Sequence, residues 1–257
     1  MNCTQNKNIT EELVSIIMPA YNCEDFIGIS IDSIINQTYS NWEVIIVDDF
    51  STDNTVQIVQ DKMTNEPRIR FYRFSRNSGA ATARNTAIDV AKGKYIAFLD
   101  SDDVWVPTKL EKQIDFMEKN DHSFTCTSYN KIDEHGNELN RTIVTQKKRD
   151  YNGVLKTCPG NSTVIYNAKK LGKFKIPDIK KRNDYLMWLQ VIKKAKYLYG
   201  IDETLGSHRI RSNSISSNKI SLVWYHWKIF RDIEHLSFAK SSYLIIYWVI
   251  ATVFKLR

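Results

Sequence analysis

The chain has 257 residues, 42% hydrophobic and 25% charged, a balance that excludes disordered and fibrous classes and fits one large α/β domain or two small ones. A chain this long buries roughly 70% or more of its unfolded surface. Its four scattered cysteines (Cys3, Cys23, Cys126, Cys158) form no CxxC pair, so a zinc finger and a disulfide scaffold are excluded and reduced thiols in cytoplasm are expected. Thirty-six basic against 29 acidic residues leave a net charge of +7, which favours anionic partners: nucleic acid, phosphorylated ligands or the inner leaflet of a membrane.

In chain order, Met1 to Thr10 is polar and lacks the basic-then-apolar pattern of a secretory signal, so the Asn-x-Ser/Thr triplets at Asn2, Asn8, Asn36 and Asn161 carry no meaning. Val14 to Met18 reads as a buried strand ended by Pro19, and Glu24 to Gln37 as a helix with Phe26, Ile27, Ile31, Ile34 and Ile35 at helical spacing. Val44 to Val47 is a second strand, and Ser51 and Asp53 offer capping chemistry for a helix to about Met63. Ile69 to Phe74 is a third strand. An Asn77-Ser-Gly79 turn leads to an Ala-rich helix, Ala80 to Ala91, then to a fourth strand, Tyr95 to Leu99, and from Pro107 a helix to about Asn120. Ser123 to Tyr129 and Leu139 to Val144 form a hairpin around Asp133 to Asn137, Ser162 to Tyr166 a short strand, and Asp184 to Lys194 an amphipathic helix. Basic clusters stand at Lys147 to Arg149, Lys180 to Arg182 and Lys193-Lys194. From about Ser221 the pattern is helical and rich in aromatics. Its longest apolar run, Tyr243 to Phe254, is shorter than the roughly 20 residues of a spanning helix.

Strand–helix alternation implies a parallel, doubly wound sheet whose ligands bind beyond the carboxyl ends of the strands. Pro19 to Glu24, Asp48 to Asp53, Asn77 to Gly79 and Asp100 to Asp103 all fall at such ends, so four separate stretches converge on one edge. Carboxylates at Asp100 and Asp102 suit a hard cation that binds one or two carboxylates plus substrate phosphates. The bland alternative is a loop whose aspartates cap the next helix, a place Asp103 fits. Asp49 either belongs to a capping loop or accepts from a nucleobase imide or ribose hydroxyl. No GxGxxG follows the first strand and no GxxxxGK[ST] occurs, which disfavours a dinucleotide site and a P-loop.

The ordered set Pro19-Ala-Tyr21-Asn22…Glu24, Gln37-Thr-Tyr39, Trp42-Glu43, Val47-Asp-Asp49-x-Ser51-Thr-Asp53, Asn77-x-Gly79, Ala83-Arg84-Asn85 and Asp100-Ser-Asp102-Asp103 resembles the family 2 glycosyltransferases of the GT-A fold. The resemblance covers the first half almost continuously. It implies a Rossmann-type, mostly parallel sheet flanked by helices. It also implies that Pro19, Tyr21 and Asp49 hold a base, that Glu24, Arg84 and Asp100 lie around ribose and phosphates, and that Asn22, Asn77 and Gly79 belong to the same nucleotide-sugar site. Asp102 would bind a divalent metal, Mn²⁺ or Mg²⁺, bridging the diphosphate. Arg182-Asn183-Asp184-Tyr-Leu-x-Trp188-Leu is similar to the family segment carrying the general base, with Asn183 in place of its Glu and Asp184 keeping the carboxylate. The other reading of Asp184 is an N-cap. His208-Arg209-Ile-Arg211-Ser-Asn-Ser214-Ile-Ser216 resembles a family loop closing over the diphosphate, with Arg209 and Arg211 as phosphate contacts; a solvated basic loop is the alternative. Through Lys219 the pattern is similar to the branch building bacterial surface polysaccharides, teichuronic acid and O-antigen among them.

These readings predict a domain over residues 1–218, with a nucleotide-sugar half at about 12–120 and an acceptor half at about 121–218. A helical tail at 219–257 interleaves Trp224, Trp227, Tyr243 and Trp248 with Lys228, Arg231, Lys240, Lys255 and Arg257, a composition of membrane interfaces that packing onto the domain would equally explain. The expected activity is metal-dependent inverting transfer from a nucleotide sugar, a UDP-sugar first, to a lipid-linked saccharide. The protein would sit peripherally on the cytoplasmic face of a bacterial membrane, with an anionic surface as partner and no nucleic acid. A nucleotidyltransferase is the enzyme rival, but it needs a glycine-rich basic loop where Pro19-Ala-Tyr21-Asn22 stands. A non-enzymatic peripheral membrane-binding protein would leave the strand-end aspartates unexplained.

Overall fold

The computed structural model describes residues 12–177, 179, 181–211 and 219–253. Met1 to Thr10 with Cys3, Lys180, Ser214 and Ser216 of the basic loop, and Phe254, Lys255 and Arg257 of the tail lie outside those residues. The first half alternates as predicted: β1 (Val14–Ala20), α1 (Glu24–Ile35), β2 (Trp42–Asp48), α2 (Thr55–Asn65), β3 (Ile69–Arg73), α3 (Ala80–Val90) and β4 (Tyr95–Phe98). These strands lie in the order β3-β2-β1-β4, all parallel. The chain winds from β1 to β2 on one side and places β4 on the other, so the switch point at which such sheets open a crevice lies at the carboxyl ends of β1 and β4.

β1 does not stop at Pro19. Pro19 pairs with Val47 and Ala20 with Asp48, while the pairing to β4 ends at Ile17–Phe98. A proline lacks a ladder donor, and here it lies past the point where β4 has ended. The same place in a longer sheet would break a hydrogen bond.

Beyond β4 the same sheet becomes mixed. It takes in β5 (Val104–Trp105), β6 (Phe124–Ile132), β7 (Glu138–Ile143), β8 (Lys148–Arg149), β9 (Ile165–Asn167) and β10 (Leu198–Arg209) in the continued order β9-β6-β10-β5, with β7 beside β6 and β8 beside β10. β9 runs antiparallel to β4 and β6 and β7 antiparallel to β6, so the mostly parallel sheet expected keeps its parallel pairing in the first four strands and the β6–β10 pair. β10 itself was not predicted. Asp202 and Glu203 interrupt its pattern, and its pairing with β6 shifts register after Ile201 and again after Thr204, which destroys the period of two.

Side chains alternate across the sheet into two cores. Ile17, Ile45, Val47, Ile96 and Phe98 meet α3, α5 (Tyr151–Lys156) and α7 (Asn183–Ala195) on one face. Ile16, Met18, Val44 and Ile46 meet α1 and α4 (Lys109–Lys119) on the other. α6 (Ala168–Leu171) is a single turn. α7 buries Trp188 edge-on to Phe98 at 5.1 Å and against Phe124 at 5.8 Å. The C-terminal pair, α8 (Lys219–Lys228) and α9 (Phe238–Val253) joined through a π-helical segment at Ile229–Ile233, shares the first core through Ile229, Phe230 and Leu244.

Candidate functional site

The loops after β1 and β2 are laced together. Asn22, at φ +42°, donates its backbone N–H to Ser51 Oγ (2.9 Å) and accepts Thr52 N–H at Oδ1 (2.9 Å). Glu24 N–H donates to Asp53 Oδ2 (3.1 Å), and Glu24 Oε2 accepts from the backbone (3.0 Å) and side chain (2.7 Å) of Asn54. Asp53, one residue ahead of the N-cap Asn54 of α2, accepts Thr55 N–H (3.0 Å), Asn54 itself makes no side-chain cap, and the Ser51 hydroxyl donates to Asp48. Asn22 and Glu24 thus shape the rim of the crevice, while Tyr21 is left 50% exposed beside it.

Asp49 joins β1, β2 and α3. Its N–H donates to Ala20 O (2.8 Å), and its two carboxylate oxygens accept the N–H groups of Ser78 (2.6 Å) and Gly79 (2.8 Å). Asn77 Nδ2 donates to Asp49 O (3.3 Å). Gly79 sits at φ +90° with open space around a notional Cβ, so backbone conformation and not crowding calls for glycine there. Each Asp49 oxygen keeps a lone pair for a ligand.

Past β4, Arg84 of α3 donates from Nη2 to Asp100 Oδ1 (2.6 Å), and Asn161 Nδ2 donates to the same oxygen (2.9 Å). Burial opposes the charge of Arg84, yet Asp100, Asp184 and Asp102 together hold its guanidinium above the usual range. Arg84 Nε and Asn161 Oδ1 are buried without hydrogen-bond partners among the described residues. A donor and an acceptor are therefore unspent beside Asp100, at a cost a polar ligand would remove. Asp184 reaches this cluster because Trp188, one turn later, is pinned on Phe98, two residues before Asp100. It is not an N-cap: it lies inside the first turn of α7, whose N-cap is Arg182 and has no side-chain cap. Half-buried, its carboxylate receives no hydrogen bond among the described residues.

Asp102 pairs with Arg211 Nε at 2.8 Å. Burial, then Asp103 and Asp100, push its carboxyl well above the ordinary range against the pull of Arg211 and His208. Hard oxygens crowded into mutual repulsion suit a divalent cation. No group of three or more His, Cys, Asp or Glu among the described residues could hold a cation, so a cation here would need further oxygens beyond these carboxylates, such as those of a diphosphate. Asp102 with Asp100 fits that donor set.

Asp103 does not start a helix. It precedes β5 and accepts Arg209 N–H (3.0 Å), the Ser162 hydroxyl and His208 Nδ1 (3.2 Å). Burial would raise its carboxyl, but His208 and these donors hold it low, while Asp103 raises His208 to about 9. Arg209 donates from Nε to Asp102 O (2.9 Å) and from Nη1 to Asp133 O and Glu134 O (3.0 Å each). Its side chain braces the aspartate loop against the β6–β7 turn through carbonyl oxygens, whereas the side chain of Arg211 pairs with the Asp102 carboxylate. Asn161, Ser162 and Asp103 were missed as site residues. Asp103 stood inside the strand-end stretch and the Asp100-Ser-Asp102-Asp103 motif without being given a site role, and nothing local pointed to Asn161 or Ser162.

The sequence matches the family model described as Glycosyl transferase family 2 over residues 15–176. It is 40% identical over 235 residues to TuaG of Bacillus subtilis (strain 168), named for teichuronic acid biosynthesis, covering 91% of this chain and 93% of that one. It is 40% identical over 240 residues to WfgD of Escherichia coli, named a UDP-Glc:alpha-D-GlcNAc-diphosphoundecaprenol beta-1,3-glucosyltransferase, covering 93% of both. Among solved structures, S. aureus TarS 1–349 in complex with UDP-GlcNAc superposes with a TM-score of 0.73 at 22% identity, over 92% of this chain and 71% of that one.

Proposed function

The chain belongs to glycosyl transferase family 2, and on that premise we propose that it transfers a sugar, with inversion, from a UDP-sugar to a lipid-linked saccharide in bacterial surface-polysaccharide synthesis. The observation that carries this is the Arg84 guanidinium, mostly buried and paired with Asp100 at 2.6 Å, which also feels the charges of Asp184 and Asp102 at the carboxyl edge of the sheet. The reaction in WfgD's name supports the donor and the lipid diphosphate acceptor.

Pro19, Tyr21, Asn22, Glu24, Asp49, Asn77 and Gly79 frame the nucleotide. Arg84 and Asp100 lie around the ribose and phosphates, beside the unspent Arg84 Nε and Asn161 Oδ1, Arg211 grips phosphate oxygens, and Arg209 keeps the loop in place. Asp184 takes the proton of the acceptor hydroxyl as that oxygen bonds to the anomeric carbon. The carbon–oxygen bond to the diphosphate breaks, and its electron pair leaves on UDP. Asp102, with Asp100, would hold Mn²⁺ or Mg²⁺, which when bound supplies positive charge against the diphosphate.

Residues 1–218 act as the catalytic domain in two halves, 12–120 for donor and 121–218 for acceptor, and 219–257 as its membrane-facing cover. No helix among the described residues is long and apolar enough to cross a membrane. The lipid acceptor in WfgD's name and the exposed Tyr243, Ile246, Val249 and Ile250 of α9 support a peripheral place on the cytoplasmic leaflet. The test is UDP release from a panel of UDP-sugars with Mn²⁺ or Mg²⁺ and a lipid-linked saccharide. Release that requires the acceptor is expected. Pyrophosphate release from a nucleoside triphosphate, or no acceptor-dependent release from any donor, overturns the reading. Asp184→Asn should bind UDP normally and transfer about 10²–10⁴-fold more slowly.

A further inference from the structure

Both α7 and the α8–α9 pair lie beyond residue 176, where the family match ends. The pair and the segment joining it grip α7 at both of its ends. At the amino end, Arg182 donates from Nε (3.0 Å) and Nη2 (2.7 Å) to His226 Nε2 of α8. Arginine has no acceptor, so this nitrogen accepts and the imidazole is neutral with its proton on Nδ1. The guanidinium lies 5.8 Å from the Tyr185 ring and 5.9 Å from the Trp248 ring of α9, and His226 packs on Trp248 at 4.9 Å. At the carboxyl end, Lys193 pairs with Glu234 at 2.7 Å, and Glu234 also accepts the Tyr151 hydroxyl.

Arg182 holds a left-handed backbone, φ +63°, at the N-cap of α7. Such a conformation in a residue other than glycine persists only where its surroundings over-determine it. The grip on His226 supplies that constraint. It also keeps the guanidinium off Asp184, two residues away, whose carboxylate then stays uncommitted.

We propose that the C-terminal helical pair is a clamp that sets α7, and with it Asp184, in working position, with His226 and Arg182 as its positioning residues; this rests on Asp184 being the base. The kcat for acceptor-dependent transfer and the Kd for UDP are measured for the full chain and its variants. His226→Leu removes the acceptor of the guanidinium, so kcat should fall about 10-fold or more with UDP affinity held within about twofold. His226→Gln offers a carbonyl oxygen to the same guanidinium and should restore kcat to within about threefold of the wild type. Arg182→Gly relieves the backbone and deletes the grip, so it should lose kcat as His226→Leu does, and it carries the test if His226→Leu does not fold.

Wild-type kcat in His226→Leu or Arg182→Gly overturns the clamp. Equal losses in the Leu and Gln variants, or UDP affinity falling in step with kcat, overturn it too. Asp184→Asn, measured alongside, separates the premise: retained transfer there ends the base assignment, whereas lost transfer there with an unaffected His226→Leu ends the clamp alone.

Discussion

Asp102 stands among opposing charges, repelled by Asp103 and Asp100 and drawn to Arg211 and His208. A divalent cation relieves that repulsion and shares its charge with a diphosphate. UDP should therefore bind more tightly with Mn²⁺ than with chelator, and Asp102→Asn should erase the increment without lowering the unfolding temperature. Equal wild-type affinity with metal and with chelator would leave no role for a cation. Lys109 poses a different problem. It is wholly buried, donates to Gln113 Oε1 (2.7 Å), and lies 4.2 Å from the Trp105 ring, with no carboxylate paired to it among the described residues. Burial outweighs the ring's attraction and drives its pKa from 10.5 down to about 7. The unfolded chain thus binds a proton that the folded one gives up between those values, so stability rises with pH across that window and the full cost is present below it. Lys109→Met should gain on the wild type as pH falls from about 10 to about 6, by on the order of a few kcal/mol, read from urea midpoints. A gap that does not change with pH would mean the lysine stays charged inside.

α9 is apolar on two sides. Ser241, Leu244, Trp248 and Ala251 are buried at helical spacing, while Tyr243, Ile246, Val249 and Ile250 are exposed. Lys156 lies 5.4 Å from the Tyr243 ring and 5.8 Å from the Tyr247 ring, at the flank of the outer face. A helix apolar all round belongs between two apolar media, and lysines beside aromatics suit the headgroup region of an anionic membrane. Wild-type protein should co-sediment with anionic vesicles, less so as salt rises. The pair Ile246→Glu and Ile250→Glu should abolish sedimentation and leave the unfolding midpoint unchanged. Undiminished sedimentation would show that this face does not meet lipid. Deleting the tail is the poorer test, because Ile229, Phe230 and Leu244 belong to the domain core.

At the scale of the molecule, Trp188 joins the parallel first half of the sheet to its mixed second half, lying against Phe98 of β4 and Phe124 of β6. Trp188→Ala should cost about 3–5 kcal/mol in urea unfolding. Its indole N–H is buried without a partner among the described residues, so Trp188→Phe, which removes that N–H and keeps a ring, should cost markedly less. Because α7 carries Asp184, the Phe variant should slow transfer more than it weakens UDP binding. Equal costs for Ala and Phe would mean the ring does not carry the joint.

Elements with strong periodicity were legible to within about three residues, and the convergence of Pro19 to Glu24, Asp48 to Asp53, Asn77 to Gly79 and Asp100 to Asp103 followed from strand–helix alternation alone. That needs no tertiary knowledge, because a parallel sheet sends every strand end to the same edge. β5, β8 and β10 were not legible, being too short or broken by register shifts to carry a period. The partners of the site residues were equally hidden. Asp103 meets Arg209 across 106 residues, and Arg182 meets His226 across 44, so each contact depends on how separate elements dock. The sequence by itself determined which carboxylates stand at the edge, since local pattern sets strand direction. Only the tertiary structure decided which are spent on loops, which gather about Arg84, and which face of α9 is left open, since packing between distant elements chooses each side chain's neighbours.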